Sequence, residues 1–129
     1  MSDRPLVLLV EDNPRNVKLV RDVLEFAGFT VVIADSGEDG VALATSTLPD
    51  LILMDIQLPG IDGYAALEQI RGNRATTQIP VIALTAFAMD GDRDRVLSSG
   101  FDGYMEKPIS VRDFPTEVRR HLQEAQRRH

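Results

Sequence analysis

At 129 residues the chain has room for one domain with its own core and is crowded for two. A hydrophobic share of 43% with 26% charged, and no apolar run near the ~18 residues of a membrane span, exclude insertion into a bilayer. The lack of cysteine excludes disulfides and thiolate metal sites, so any metal needs oxygen ligands, and a net charge of −6 argues against direct nucleic-acid binding, which requires a basic surface.

The opening MSDRPLVLLVEDN carries an apolar run that is too short for a signal peptide and is closed by acids, so a cytoplasmic location is expected. That run, LVLLV at 6–10, reads as the first strand. Asn13 then caps a helix with Pro14 in its first turn and Val17, Val20, Val23, Leu24 and Ala27 on one face, closed by AGF. TVVIA at 30–34 is the second strand, Ser36 caps a second helix through Val41, Ala42 and Thr45, and LPD at 48–50 separates it from a third strand, LILMD at 51–55. Asp62 caps the third helix, VIALT at 81–85 is the fourth strand, and SSGFDGY ends the fourth helix. The fifth strand, around GYM at 103–105, is the weakest because Gly103 is poor strand material. In the last helix, a cap at Ser110 would place Pro115 at the fifth helical position, where it removes a backbone bond; an irregular first turn or an effective start near Asp113 is expected instead.

Four of the five runs are continuous rather than alternating, the pattern of parallel strands covered on both faces. Strands alternating with helices argue for right-handed βαβ units, an α/β doubly wound sheet. In such sheets ligands bind beyond the carboxyl ends of the strands. The residues there are Glu11 and Asp12 after the first strand, Asp55 closing the third, Thr85 closing the fourth and Lys107 after the fifth. Three carboxylates at one edge repel one another unless a cation compensates, and Mg²⁺ suits such a set, taking one or two direct carboxylates and keeping waters. Asp12 and Asp55 suit direct ligation and Glu11 a contact through water. A lysine and a hydroxyl beside them can meet a phosphate, which together with a free carboxylate gives the parts for phosphoryl transfer, with Asp55 as nucleophile.

The stretches LLVEDNPRN, LILMDIQLPGIDGY, IPVIALTAFA and FDGYMEKPIS, in this order and spacing over nearly the whole chain, resemble the receiver domain of two-component response regulators, of stand-alone type, the family of the bacterial chemotaxis response regulator. The resemblance implies a flavodoxin-like (βα)5 fold with five parallel strands in the order 2-1-3-4-5, a receiver domain over residues 1–124 and a short polar tail over 125–129. It implies that Asp55 is the phosphoacceptor, that Asp12, Asp55 and the Gln57 backbone carbonyl hold Mg²⁺ or Mn²⁺, and that Glu11 orients metal-bound water. Thr85 and Lys107 would contact the phosphoryl group, with Thr85 and Tyr104 forming the switch. The Lys107–Pro108 bond is expected to be cis, a geometry that costs only about 0.5–1 kcal/mol before proline. Gln57 and Phe87, two residues after Asp55 and Thr85, are expected to tune the phosphorylated lifetime, bulky Phe87 by hindering the hydrolytic water and Gln57 by orienting it.

The implied function is a phosphorylation-dependent switch that accepts a phosphoryl group from a phosphohistidine on a sensor histidine kinase or a histidine phosphotransfer protein. It would then alter the face of helix four, strand five and helix five toward a downstream protein, catalysing no reaction but its own phosphorylation and dephosphorylation. Two rivals belong to other classes. A Mg²⁺-dependent phosphohydrolase of the haloacid dehalogenase type would carry a second acid two residues after the nucleophile, where this chain has Gln57. A phosphorylation-independent interaction module of receiver shape would not require Glu11, Asp12, Asp55, Thr85 and Lys107 together. His121 and His129 are expected to be surface residues rather than a phosphohistidine relay.

Overall fold

Each of the four continuous apolar runs becomes a strand at the bounds the sequence predicts: β1 (Leu6–Val10), β2 (Thr30–Ala34), β3 (Leu51–Asp55) and β4 (Val81–Thr85). The fifth strand, β5 (Gly103–Glu106), runs one residue beyond GYM. The computed structural model describes residues 4–86 and 90–127, with side chains described throughout except at 90–92. Five helices, α1 (Pro14–Phe26), α2 (Gly37–Thr47), α3 (Gly63–Gly72), α4 (Asp90–Ser98) and α5 (Phe114–Arg127), alternate with the strands. All pairings are parallel and the order is β2-β1-β3-β4-β5, the flavodoxin-like arrangement. Among the described residues no helix is long and apolar enough to cross a membrane.

The period-two alternation of strand side chains explains why the central runs are wholly apolar. Val7 and Leu9, Leu51 and Leu53, and Ile82 and Leu84 face a core shared with Val20, Leu24, Val118 and Leu122 of α1 and α5. Leu8 and Val10, Ile52 and Met54, and Val81 and Ala83 face the opposite core, with Ala44, Leu67, Ile70 and Val96 of α2, α3 and α4. Both faces are covered, so alternate polar residues have no place in β1, β3 or β4.

The helix starts follow their caps. Asn13 accepts from the backbone N–H groups of Arg15 and Asn16, Ser36 from that of Asp39, and Asp62 from that of Ala65. At α5 the awkward proline resolves as expected. Residues 111–113 form a turn, Ser110 Oγ accepts from the Asp113 N–H, and Pro115 falls at the second helical position, where no intrahelical donor is needed. The α5 helix continues to Arg127, and Ala125 is buried, because its apolar stripe extends one more turn. His129 lies outside the described residues.

Candidate functional site

The strand order reverses direction between β1 and β3, and the crevice at their carboxyl ends receives the acids. Glu11 follows β1 with its backbone N–H donating to Ala34 O, and its side chain is 1% exposed; Asp55 ends β3 and is buried. Glu11, Asp12 and Asp55 each offer a carboxylate oxygen within 4.8 Å of the others. Lys107 reaches between two of them from beyond β5, its Nζ 2.6 Å from Glu11 Oε1 and 2.8 Å from Asp55 Oδ2. Three carboxylates and one ammonium leave the cluster with a formal surplus of two negative charges.

Burial works to lower the Lys107 pKa, but hydrogen bonds and charge attraction from Asp55 and Glu11 outweigh it and hold the value above the ordinary 10.5. The ammonium is therefore charged throughout the neutral range. The three carboxylates differ in how the protein satisfies them. Glu11 accepts from Lys107, from Asn16 Nδ2 at 3.2 Å and from the Asn13 N–H at 3.2 Å. Asp55 accepts from Lys107 and, at Oδ1, from the Gln57 N–H at 3.0 Å. Asp12 is exposed and receives no hydrogen bond from the described residues. A surplus of negative charge, all-oxygen donors and one carboxylate without a protein donor fit a hard divalent cation such as Mg²⁺.

Backbone geometry fixes this edge. The Gly63 N–H donates to Ile56 O at 2.9 Å, closing the loop between β3 and α3. A Cβ at Gly63 would lie 2.8 Å from both Asp55 O and Ile56 Cα, so only glycine lets α3 approach the end of β3 this closely. The tip of the loop is latched by Glu38 of α2, whose Oε1 accepts from the Ile61 N–H at 3.4 Å and whose carboxylate packs against Gly60 at φ +73°. The Lys107–Pro108 bond is cis, and the Lys107 N–H donates to Thr85 O at 2.8 Å. Thr85 and Lys107 are thereby joined through the backbone.

The structure thus brings together Glu11, Asp12, Asp55 and Lys107, places Gln57 against Asp55 and ties Thr85 to Lys107. Tyr104 stands apart from that cluster, opposite Ala83 in the β4–β5 register, half-buried against the core under α4. The guanidinium of Arg93 lies 5.3 Å from its ring centroid, and that of Arg95 lies 4.6 Å from the ring of Tyr64. Phe87 lies outside the described residues. Two residues beyond those expected from the sequence join the site: Asn16, whose signal is a short amide one turn after the Asn13 cap, and Glu38, for which the sequence offers no signal. His121, expected on the surface, is buried. Its ring packs on Gly103, where a Cβ would come within 2.7 Å of His121 Cε1. That contact also explains the glycine in β5.

Comparison with known proteins shows the family. The family model of the response regulator receiver domain matches residues 7–119. The polar-differentiation response regulator DivK of Brucella ovis is 43% identical over 119 residues, covering 92% of this chain and 97% of the relative. Among solved structures, the receiver domain of the sensor histidine kinase PA1611 from Pseudomonas aeruginosa, described with a magnesium ion coordinated in its active-site cleft, is 38% identical. It superposes with a TM-score of 0.82, covering 94% of this chain and 96% of that one. A response regulator receiver domain protein from Methanospirillum hungatei superposes at 0.87 with 28% identity, covering 98% of this chain and 100% of that one.

Proposed function

The chain belongs to the response regulator receiver domain family, signalling domains rather than conventional enzymes, and from that premise we propose that Asp55 is the phosphoacceptor of a Mg²⁺-dependent switch. The observation that carries this reading is the Lys107 ammonium held between Glu11 and Asp55 beside an Asp12 carboxylate with no donor from the described residues. Asp12, Asp55 and the Gln57 carbonyl would hold the cation directly and Glu11 through water. When bound, Mg²⁺ offsets charge on the transferring phosphoryl oxygens.

An Asp55 carboxylate oxygen forms the new bond to phosphorus while the P–N bond of a donor phosphohistidine breaks. The imidazole leaves with the electron pair and takes up a proton from water. Lys107 then turns its ammonium from the Asp55 carboxylate to a phosphoryl oxygen, a point charge with rotatable donors suited to that move. Thr85 supplies a hydroxyl to the same group. Because Thr85 and Tyr104 sit on adjacent strands, a shift of Thr85 toward the phosphoryl group changes the surroundings of the Tyr104 ring and the hold of Arg93 on it. The readout face is that of α4, β5 and α5, where a groove of about 600 Å³ runs past Tyr104, Glu106, Ser110 and Arg120. The chain acts in the cytoplasm, the donor is a sensor histidine kinase or histidine phosphotransfer protein, the target a downstream protein, and Phe87 and Gln57 set the lifetime of the phosphorylated state.

Gln57 also separates this reading from the phosphohydrolase, which needs an acid there. Intact-mass measurement after incubation with acetyl phosphate tests it. The wild type is expected to gain one phosphoryl group only with Mg²⁺ present, and Asp55→Asn none. Equal labelling of the variant, or labelling independent of Mg²⁺, would remove the proposal.

A further inference from the structure

We propose that Asn16 is a positioning residue for Glu11, setting the rotation of that carboxylate and through it the affinity of the acidic crevice for Mg²⁺; this rests on the metal reading above. The Asn13 cap starts α1 so that Asn16 falls in its first turn, and helical side chains lean back toward the N-terminus, here over Glu11. Asn16 Nδ2 donates to Glu11 Oε1 at 3.2 Å, the same oxygen that Lys107 holds at 2.6 Å. The other oxygen, Oε2, accepts one longer contact from the Asn13 N–H at 3.2 Å and keeps acceptor capacity for water around a cation. Lys107 cannot fix this rotation through the whole cycle, because the same ammonium also serves Asp55 and turns to the phosphoryl group. Asn16 is then the side chain among the described residues that continues to donate to Glu11.

A merely helical role for Asn16 predicts no change in Mg²⁺ affinity, whereas a positioning role predicts a loss of it. Alanine is the better helix former, so Asn16→Ala would leave stability unchanged or raised if α1 were all that mattered. Titration with Mg²⁺ alone, followed by amide chemical shifts, separates the two. Outer-sphere partners of metal ligands are worth about tenfold in affinity at the low end, so Asn16→Ala is expected to raise the Mg²⁺ Kd about tenfold with no fall in the metal-free unfolding midpoint. If Asn16 acts through Glu11, adding Asn16→Ala to Glu11→Ala changes the Kd no further. An unchanged Kd in Asn16→Ala, or the same loss persisting in the Glu11→Ala background, overturns the assignment while leaving the metal reading intact. A wild type that takes up no Mg²⁺ overturns both.

Discussion

The two edges of the sheet handle charge in opposite ways. At the amino-terminal edge Asp50, Asp102 and Arg71 close circuits with backbone groups and with one another. Asp50 accepts from the Leu6 N–H at 2.7 Å, and Asp102 accepts from the Val81 N–H at 2.8 Å and from Arg71 at 2.6 Å. The same Arg71 guanidinium donates to the carbonyls of Thr77, Ile79 and Gly100. At the carboxyl edge three carboxylates cluster, one lysine reaches only Glu11 and Asp55, and Asp12 has no donor from the described residues. One edge satisfies its charges and adds stability; the other keeps a deficit that a cation and a phosphoryl group fill. Crowded like charges cost stability, and this fold concentrates them where ligands bind.

That contrast predicts where damage goes. The largest loss is expected from Gly63→Ala at the carboxyl edge, where the new Cβ meets backbone rather than a flexible side chain. About 3 kcal/mol of stability should go, as for other overpacked sites, and phosphorylation should fall with it because the end of β3 moves. Denaturant unfolding and the rate of labelling by acetyl phosphate measure the two. A stable, fully active variant would show that the close approach of α3 does not hold Asp55.

Arg71→Ala at the opposite edge is expected to cost about 2 kcal/mol, since it strips partners from Asp102 and three carbonyls at once. Labelling of the folded protein should stay at the wild-type rate. A loss of labelling without a loss of stability would erase the division between the edges.

A smaller and more telling effect is expected from Lys107→Met. Removing the one ammonium deepens the negative surplus, so Mg²⁺ should bind several-fold tighter while phosphorylation slows, which calorimetry and labelling kinetics would resolve. The pH dependence has a definite sign. The folded-state pKa of Lys107 is raised, so its stabilisation is fully present below the unfolded value of 10.5 and is lost as pH rises through the higher folded value. The stability difference between wild type and Lys107→Met should thus be flat from neutral pH up to the unfolded value of 10.5 and shrink above it. A difference already shrinking near pH 8 would contradict the ion-pair geometry.

The same contrast explains what a reader of the sequence alone can see. Strands with two buried faces announce themselves as unbroken apolar runs, and Asn13, Ser36 and Asp62 mark helix starts, so the order of elements and the acids at strand ends are legible. Legibility fails where a residue is chosen by a distant neighbour. Gly103 looks out of place in β5 until His121 is found packed on it from α5, and the burial of His121 is invisible for the same reason. Gly63 answers to the backbone of Asp55 and Ile56, and Glu38 to a loop more than twenty residues away. Such contacts arise from how layers meet, which local pattern does not encode.

The central claim is that the deficit at the carboxyl edge exists so that one carboxylate, Asp55, takes the phosphoryl group. Borohydride reduction of protein labelled by acetyl phosphate and Mg²⁺ converts an aspartyl phosphate to homoserine, and tandem mass spectrometry of the peptides then reads its position. Homoserine at position 55 alone is the expected result. Homoserine at Asp12, or at any carboxylate other than Asp55, would contradict the account.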